Sequence, residues 1–122
     1  MDRRQIIGKS GEAAAVRLLK KSGYKILEQN YRTRLGEIDI IAKDRQTIVF
    51  IEVKTRGSLE YGSPKLAVTP KKQRKISMTA LYYLKVNDQS NADARFDVVT
   101  VFTGGGQIDI DIIKNAFELA YL

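Results

Sequence analysis

The chain has 122 residues, 43% of them hydrophobic, with no cysteine and no histidine. That suits one compact domain with matter for a core, and it excludes disulfide frameworks, thiolate or imidazole zinc sites and any catalysis built on Cys or His. The net charge is +7, but residues 1–86 carry 19 Lys/Arg against 8 Asp/Glu and residues 87–122 carry 2 against 6, a distribution that suits either a polyanionic partner, most simply nucleic acid, or a basic surface kept for solubility.

No run approaches the roughly 20 apolar residues of a membrane span, so a single domain over residues 1–122 with no membrane partner and a cytoplasmic home is expected. A first helix is predicted from about Lys9 or earlier to Lys21, ending before Ser22-Gly23. Its apolar face carries Ala15, Val16, Leu18 and Leu19, and Glu12 lies on or beside that face. Glu12 either reaches inward or complements the helix dipole from the first turn. Gly8 and Gly11 let this part of the chain approach another backbone or a phosphate closely.

The segment from Tyr24 to Tyr31 reads as the first strand. Two more follow: Gly36-Glu37-Ile38-Asp39-Ile40-Ile41-Ala42, and Ile48-Val49-Phe50-Ile51-Glu52-Val53-Lys54-Thr55. Both are so rich in β-branched residues that they read as buried. The short polar stretch between them predicts an antiparallel hairpin. With Asp44–Thr47 as the loop, Lys43 pairs with Ile48, Ile41 with Phe50, Asp39 with Glu52 and Glu37 with Lys54. Opposed residues share a face with Cβ atoms roughly 5 Å apart. Isolated carboxylates are costly to bury unless paired or bound to a metal, so Asp39 and Glu52 either hold one small hard cation or belong to a charge ladder neutralised by Lys54. With no nitrogen or sulfur ligands available, such a cation is magnesium, manganese or calcium.

The stretch from Arg56 to Pro64 reads as a loop, and its Arg56 and Tyr61 either contact substrate or serve an ordinary connection. Thr69 and Pro70 open a second helix as N-cap and first residue. Its start, Lys71-Lys72-Gln73-Arg74-Lys75, puts positive charge where the helix dipole disfavours it, a cost that phosphates would offset. The inner stripe is predicted to be Ile76, Ala80, Leu81 and Leu84, with Gln73 at its start. Arg95–Phe102 reads as a fourth strand whose Asp97 faces inward with Val99 and Val101, toward a structural basic partner. Gly104-Gly105-Gly106 is a turn without the lysine of a P-loop. Residues 107–113 are predicted as an edge strand and 114–122 as a short helix. That edge, or Phe117, Leu119 and Tyr121, either forms a homodimer interface or caps the core.

The ordered set Gly11-Glu12, Gly36-Glu37-Ile38-Asp39, Phe50-Ile51-Glu52-Val53-Lys54-Thr55-Arg56, Tyr61-Gly62-Ser63-Pro64 and Arg95-Phe96-Asp97-Val98-Val99 resembles the YraN family. That family belongs to the PD-(D/E)xK nuclease superfamily and is similar to archaeal-type Holliday junction resolvases. The likeness covers residues 8–102. Ile38 stands where the superfamily's name-giving proline would be; proline contributes no ligand. The resemblance implies an α/β, restriction-endonuclease-like three-layer domain with a mixed central sheet flanked by helices. It also implies a Mg2+- or Mn2+-dependent endonuclease acting on DNA, at branched or damaged structures. Asp39, Glu52, the Val53 carbonyl and Glu12 would hold the metal, and Lys54 would orient or deprotonate the attacking water. Gln73 would match a helix glutamine beside the site. Arg56, Tyr61, Lys71, Lys72, Gln73, Arg74 and Lys75 are the expected nucleic-acid contacts. The alternatives are a nucleic-acid-binding module of the same fold that cleaves little or not at all, and an interaction protein whose acidic hairpin is only a ladder.

Overall fold

A computed structural model describes residues 3–56, 68–104 and 108–119, with side chains from residue 11 onward. The elements run α1 (Arg3–Lys21), β1 (Lys25–Arg32), β2 (Glu37–Asp44), β3 (Thr47–Arg56), α2 (Pro70–Val86), β4 (Ala94–Phe102) and β5 (Asp109–Phe117). The strands form one sheet in the order β1-β2-β3-β4-β5. Neighbours are antiparallel except β3 and β4, which are parallel because α2 intervenes as a crossover. This is the expected α/β architecture, a mixed central sheet between helices.

Each helix covers one face. Leu19 and Ala15 of α1 pack with Ile40, Ala42, Val49, Ile51, Val99 and Val101. Ile76, Ala80, Tyr83 and Leu84 of α2 pack with Ile41, Ile48, Phe50, Phe96 and Val98. Strand alternation explains the division, since Val49 and Ile51 point one way and Ile48 and Phe50 the other. Because both faces are covered, β3 reads as a continuous apolar run with Glu52 as its buried exception.

The helix boundaries follow the local signals. The Gly23 amide donates to the Lys20 carbonyl and the Tyr24 amide to that of Leu19, with Gly23 at φ +95°: a Schellman ending that needs glycine. The Thr69 hydroxyl caps α2 by accepting the Lys72 amide at 3.2 Å. One predicted member of the inner stripe fails: Leu81 is exposed, and Tyr83 fills the core position in its place.

The β2–β3 register is the expected one, with Lys43 against Ile48 and Ile41 against Phe50. The turn is tighter than expected. Asp44 also pairs with Thr47, leaving Arg45-Gln46 as the corner, with Arg45 at φ +58°.

The C-terminal helix is not formed as expected. Lys114–Phe117 continue β5. Asp97 holds them there: its Oδ1 accepts the Asn115 amide at 2.9 Å, opposite a register shift between Phe96 and Val98. Asn115 takes φ +55° to make the bulge. Phe117 stacks on Phe96 at 4.9 Å between centroids, and Leu119 packs on the α2-side core. These two residues therefore cap the core; Tyr121 lies outside the described residues.

Asp97 is fully buried and also accepts from Tyr24 Oη at 3.0 Å and Arg95 Nε at 3.0 Å. Arg95 reaches on to Asp44 at 2.7 Å, tying β4 to the end of the β2–β3 hairpin. The expected structural partner of Asp97 is thus Arg95. Burial and the neighbouring Asp97 push the Tyr24 hydroxyl up to about 12.

Candidate active site

The β2–β3 ladder stops at Ile40 against Ile51. Continued, it would set Asp39 opposite Glu52 and Ile38 opposite Val53. Instead the Asp39 carboxylate accepts the Val53 amide through Oδ2 at 2.8 Å. The alternation of faces breaks at the same place: Ile38 packs on the α2 side with Ile41, although Ile40 packs on the α1 side. Asp39 therefore stands in the opening between two parting strands. Its side chain takes over a donor that a regular sheet would leave to a main-chain carbonyl.

Helix α1 brings Glu12 to the same opening. A Cβ at Gly11 would lie 2.3 Å from Thr55 Oγ1, so only glycine lets the helix lie this close to β3. Glu12 is the tenth residue of α1, and the first turn holds no acid, which removes the dipole explanation for it. Glu12, Asp39, Val53, Lys54 and Thr55 line one cavity of about 290 Å³.

Glu52 adjoins this cavity from the α2 side. It is 5% exposed and near enough for the Asp39 charge to act on it. Burial and the Asp39 charge push Glu52 up to about 7, against the pull of Lys72 and Lys54. Asp39 is also raised, by burial, although the Val53 amide and Lys72 pull it down. Glu12 is raised by burial and then by Asp39 and Glu37. Glu12 and Asp39, both raised by burial, thus face one opening, with Glu52, raised likewise, beside it.

Two lysines face Glu52. Lys72 Nζ lies 2.5 Å from Glu52 Oε1, and Lys54 Nζ lies 3.9 Å from the same oxygen. Burial and the nearby Lys72 ammonium lower Lys54, and the surrounding acids only partly offset them. Lys72 moves the other way: burial pulls it down, but its bond to Glu52 lifts it above the ordinary lysine range. Of the charge ladder's two expected pairs, Lys54 with Glu52 is present at 3.9 Å, whereas Glu37 pairs with Arg32 at 3.3 Å rather than with Lys54.

The basic start of α2 divides. Lys71, Arg74 and Lys75 line a groove of about 430 Å³ with Arg34, Leu35 and Met78, whereas Lys72 turns to Glu52. Helical spacing does not single it out: Lys72 precedes the buried Ile76, Thr79, Ala80 and Tyr83 by four, seven, eight and eleven, and Gln73 precedes Ile76, Ser77, Ala80 and Leu84 by three, four, seven and eleven. Gln73, predicted at that place, donates from Nε2 to the Val68 carbonyl at 2.8 Å and so ties the approach to α2. Arg34 and Leu35 were not anticipated; their signal was the basic connection Arg32-Thr33-Arg34 beside an apolar residue. Arg56 ends β3, where its carbonyl accepts the Thr103 amide at 2.8 Å. Tyr61 lies outside the described residues.

Comparison with known proteins gives a family. The family described as "Uncharacterised protein family UPF0102" matches residues 11–101. The chain belongs to the UPF0102 family. A UPF0102 protein of Desulfosudis oleivorans is 53% identical over 118 residues, covering 97% of this chain and 94% of its own. One of Syntrophus aciditrophicus is 55% identical over 114 residues, covering 93% and 90%, and one of Geobacter metallireducens is 55% identical over 115 residues, covering 94% of each. A solved structure, "Crystal structure of SSO0001", is similar at 18% identity and a TM-score of 0.41; the match takes in 95% of this chain and about half, 54%, of that one. The UPF0102 match spans Glu12, Asp39, Glu52, Lys54, Lys72 and the Arg95–Asp97 pair, and it ends before β5.

Proposed function

We propose that this protein is a metal-dependent endonuclease of the PD-(D/E)xK type that hydrolyses DNA phosphodiester bonds, at branched or junction structures, in the cytoplasm. One observation carries the reading: Glu12, Asp39, Val53 and Lys54, from three different elements, line one cavity beside the buried Glu52.

The donor set fits a magnesium or manganese ion. Its ligands would be Asp39 and Glu52, with the Val53 carbonyl and Glu12 on the cavity wall. All are oxygen donors, and a divalent cation offsets the cost of holding these buried acids ionised. When bound, the ion supplies an acidified water and a countercharge for the phosphate. Val53 fixes Asp39 through Oδ2, which leaves Oδ1 for other partners. Lys54 has a depressed pKa, so its Nζ can hold or take a proton from an attacking water. Lys71, Arg74, Lys75 and Arg34 offer phosphate contacts without base readout. The exposed edge of β5 is the surface for a homodimer, which suits a substrate with two equivalent strands.

Titration calorimetry with manganese and cleavage assays with magnesium test this reading. Wild type should bind manganese and cut a four-way junction, flap, duplex or single-stranded DNA; Asp39→Ala should do neither. Cleavage that survives in both Asp39→Ala and Glu52→Ala assigns the activity elsewhere.

A second reading, a nucleic-acid-binding module that does not cleave, is favoured by one observation. Among the described residues, no three acidic side chains close around one point as a ready-made metal site. DNA binding without cleavage of any of the four substrates supports that reading.

A further inference from the structure

We propose that Lys72 is a cation placeholder: its ammonium occupies the position on Glu52 that the metal takes, and metal binding displaces it. The inference rests on the reading of Asp39 and Glu52 as metal ligands, and it concerns how that site is kept and filled.

Glu52 is one of the two buried acids of the described sheet, the other being Asp97. Asp97 is neutralised by Arg95, a guanidinium locked by several bonds. Glu52 is neutralised by a lysine reaching across from α2. The Lys72 side chain is 42% exposed although its tip touches an acid that is 5% exposed. A flexible four-carbon stem with a solvated flank can withdraw without moving the helix. Its main chain is independently held, because the Lys72 amide is the group that Thr69 caps.

The ammonium and a divalent ion cannot share the Glu52 oxygen. Both need its lone pairs, and at such separations like charges repel strongly in a buried setting. Lys54 does not fill this role, since it stands 3.9 Å from the same oxygen and belongs to β3 itself. Lys72 therefore protects a buried carboxylate while metal is absent. When displaced, it emerges on the first turn of α2, beside Lys71 and Arg74, where a phosphate can receive it. By reciprocity, a nucleic acid that draws Lys72 outward tightens the metal site.

The test is manganese binding by calorimetry on the full chain, for wild type, Lys72→Met and Lys85→Met. Lys85 is an exposed lysine in the last turn of the same helix, so it controls for a general charge effect. If the ammonium fills the site about nine-tenths of the time, Lys72→Met binds manganese about tenfold more tightly than wild type, and Lys85→Met binds within about twofold of wild type. Equal binding by wild type and Lys72→Met overturns the placeholder and leaves the metal site standing. Equal tightening in both variants also overturns it. No binding by any of the three removes the metal site itself, and the placeholder with it. A manganese-soaked crystal of the unaltered protein gives a second measurement independent of any substitution. Lys72 Nζ should lie more than about 4 Å from Glu52, beyond ion-pair range; an ammonium still bonded to Glu52 beside a bound ion overturns the proposal.

Discussion

Asp39 and Val53 are joined by a side-chain-to-main-chain hydrogen bond of 2.8 Å at the point where β2 and β3 cease to pair. One carboxylate thus ends a ladder and faces a cavity. An amide side chain can still accept from Val53 but carries no charge. Asp39→Asn should therefore keep its melting temperature while losing manganese binding and at least about 100-fold of any cleavage, more than loss of an outer partner costs. Asp39→Ala should lose both, with a stability cost of about 1–3 kcal/mol for the stranded amide. Thermal melts and calorimetry on the pair separate the two roles, and equal melting losses in both variants would deny the hydrogen bond its place.

Glu52 makes stability depend on pH. Its folded pKa, about 7, lies above the ordinary carboxylate value, so the native state binds this proton more tightly than the unfolded chain. The contribution is complete below about pH 4.5 and is lost as pH rises toward 7. Its full size is about 3 kcal/mol, set by burial and the Asp39 charge against the opposing pull of Lys72 and Lys54. Urea unfolding in chelator should show Glu52→Gln gaining on wild type steadily from pH 4.5 to 7.5; a difference that is flat over this range would contradict the burial argument.

The contact between Gly11 and Thr55 leaves no room for a methyl group, since the Cβ would lie 2.3 Å from Thr55 Oγ1. Gly11→Ala should cost about 1–3 kcal/mol of stability through overpacking. Thr55→Ala removes the obstructing hydroxyl, so the double variant should recover most of that loss. A double-mutant cycle by denaturant unfolding measures the recovery; additive losses would mean that α1 and β3 are not pressed together here.

Arg95 neutralises Asp97 within a cluster, with Tyr24, Asp44 and Asn115, that includes none of the cavity's lining residues. Arg95→Met leaves a fully buried carboxylate without its ion pair and should cost about 3–5 kcal/mol. Manganese affinity of the folded variant should stay within about twofold of wild type, because the two clusters share no partner. A large loss of affinity at full folding would mean that Asp97 and the cavity communicate through the paired strands β3 and β4.

The groove of Arg34, Lys71, Arg74 and Lys75 should bind DNA through phosphates. Each alanine substitution there should weaken all sequences alike and reduce the slope of log affinity against log salt by about one. Fluorescence anisotropy at several salt concentrations checks this, and a salt-independent affinity would exclude the groove.

Local signals settled a good deal of this molecule in advance. Ser22-Gly23 ended α1 and Thr69-Pro70 began α2 where expected, because capping depends on a few adjacent residues. Apolar alternation aligned Ile41 with Phe50, since a slip by one would turn buried side chains outward. The family resemblance implied the grouping of Asp39, Lys54 and Glu12 that one cavity now shows, whereas face and spacing left Glu12 open between reaching inward and serving the helix dipole.

Other features depended on groups distant in the chain. Residues 114–117 have nothing local that forbids a helix; the Asn115 amide joins Asp97 and Phe117 stacks on Phe96, so packing overrides the local pattern. Asp39 leaves the ladder because its carboxylate competes with a main-chain carbonyl for Val53, and that contest is decided only once β3 lies beside it. Among the cations opening α2, composition makes Lys71, Lys72, Arg74 and Lys75 equivalent. The phase of the helix against the sheet turns Lys72 inward to a buried acid and leaves its neighbours for solvent, because a charge in low dielectric must find its partner across space rather than along the chain.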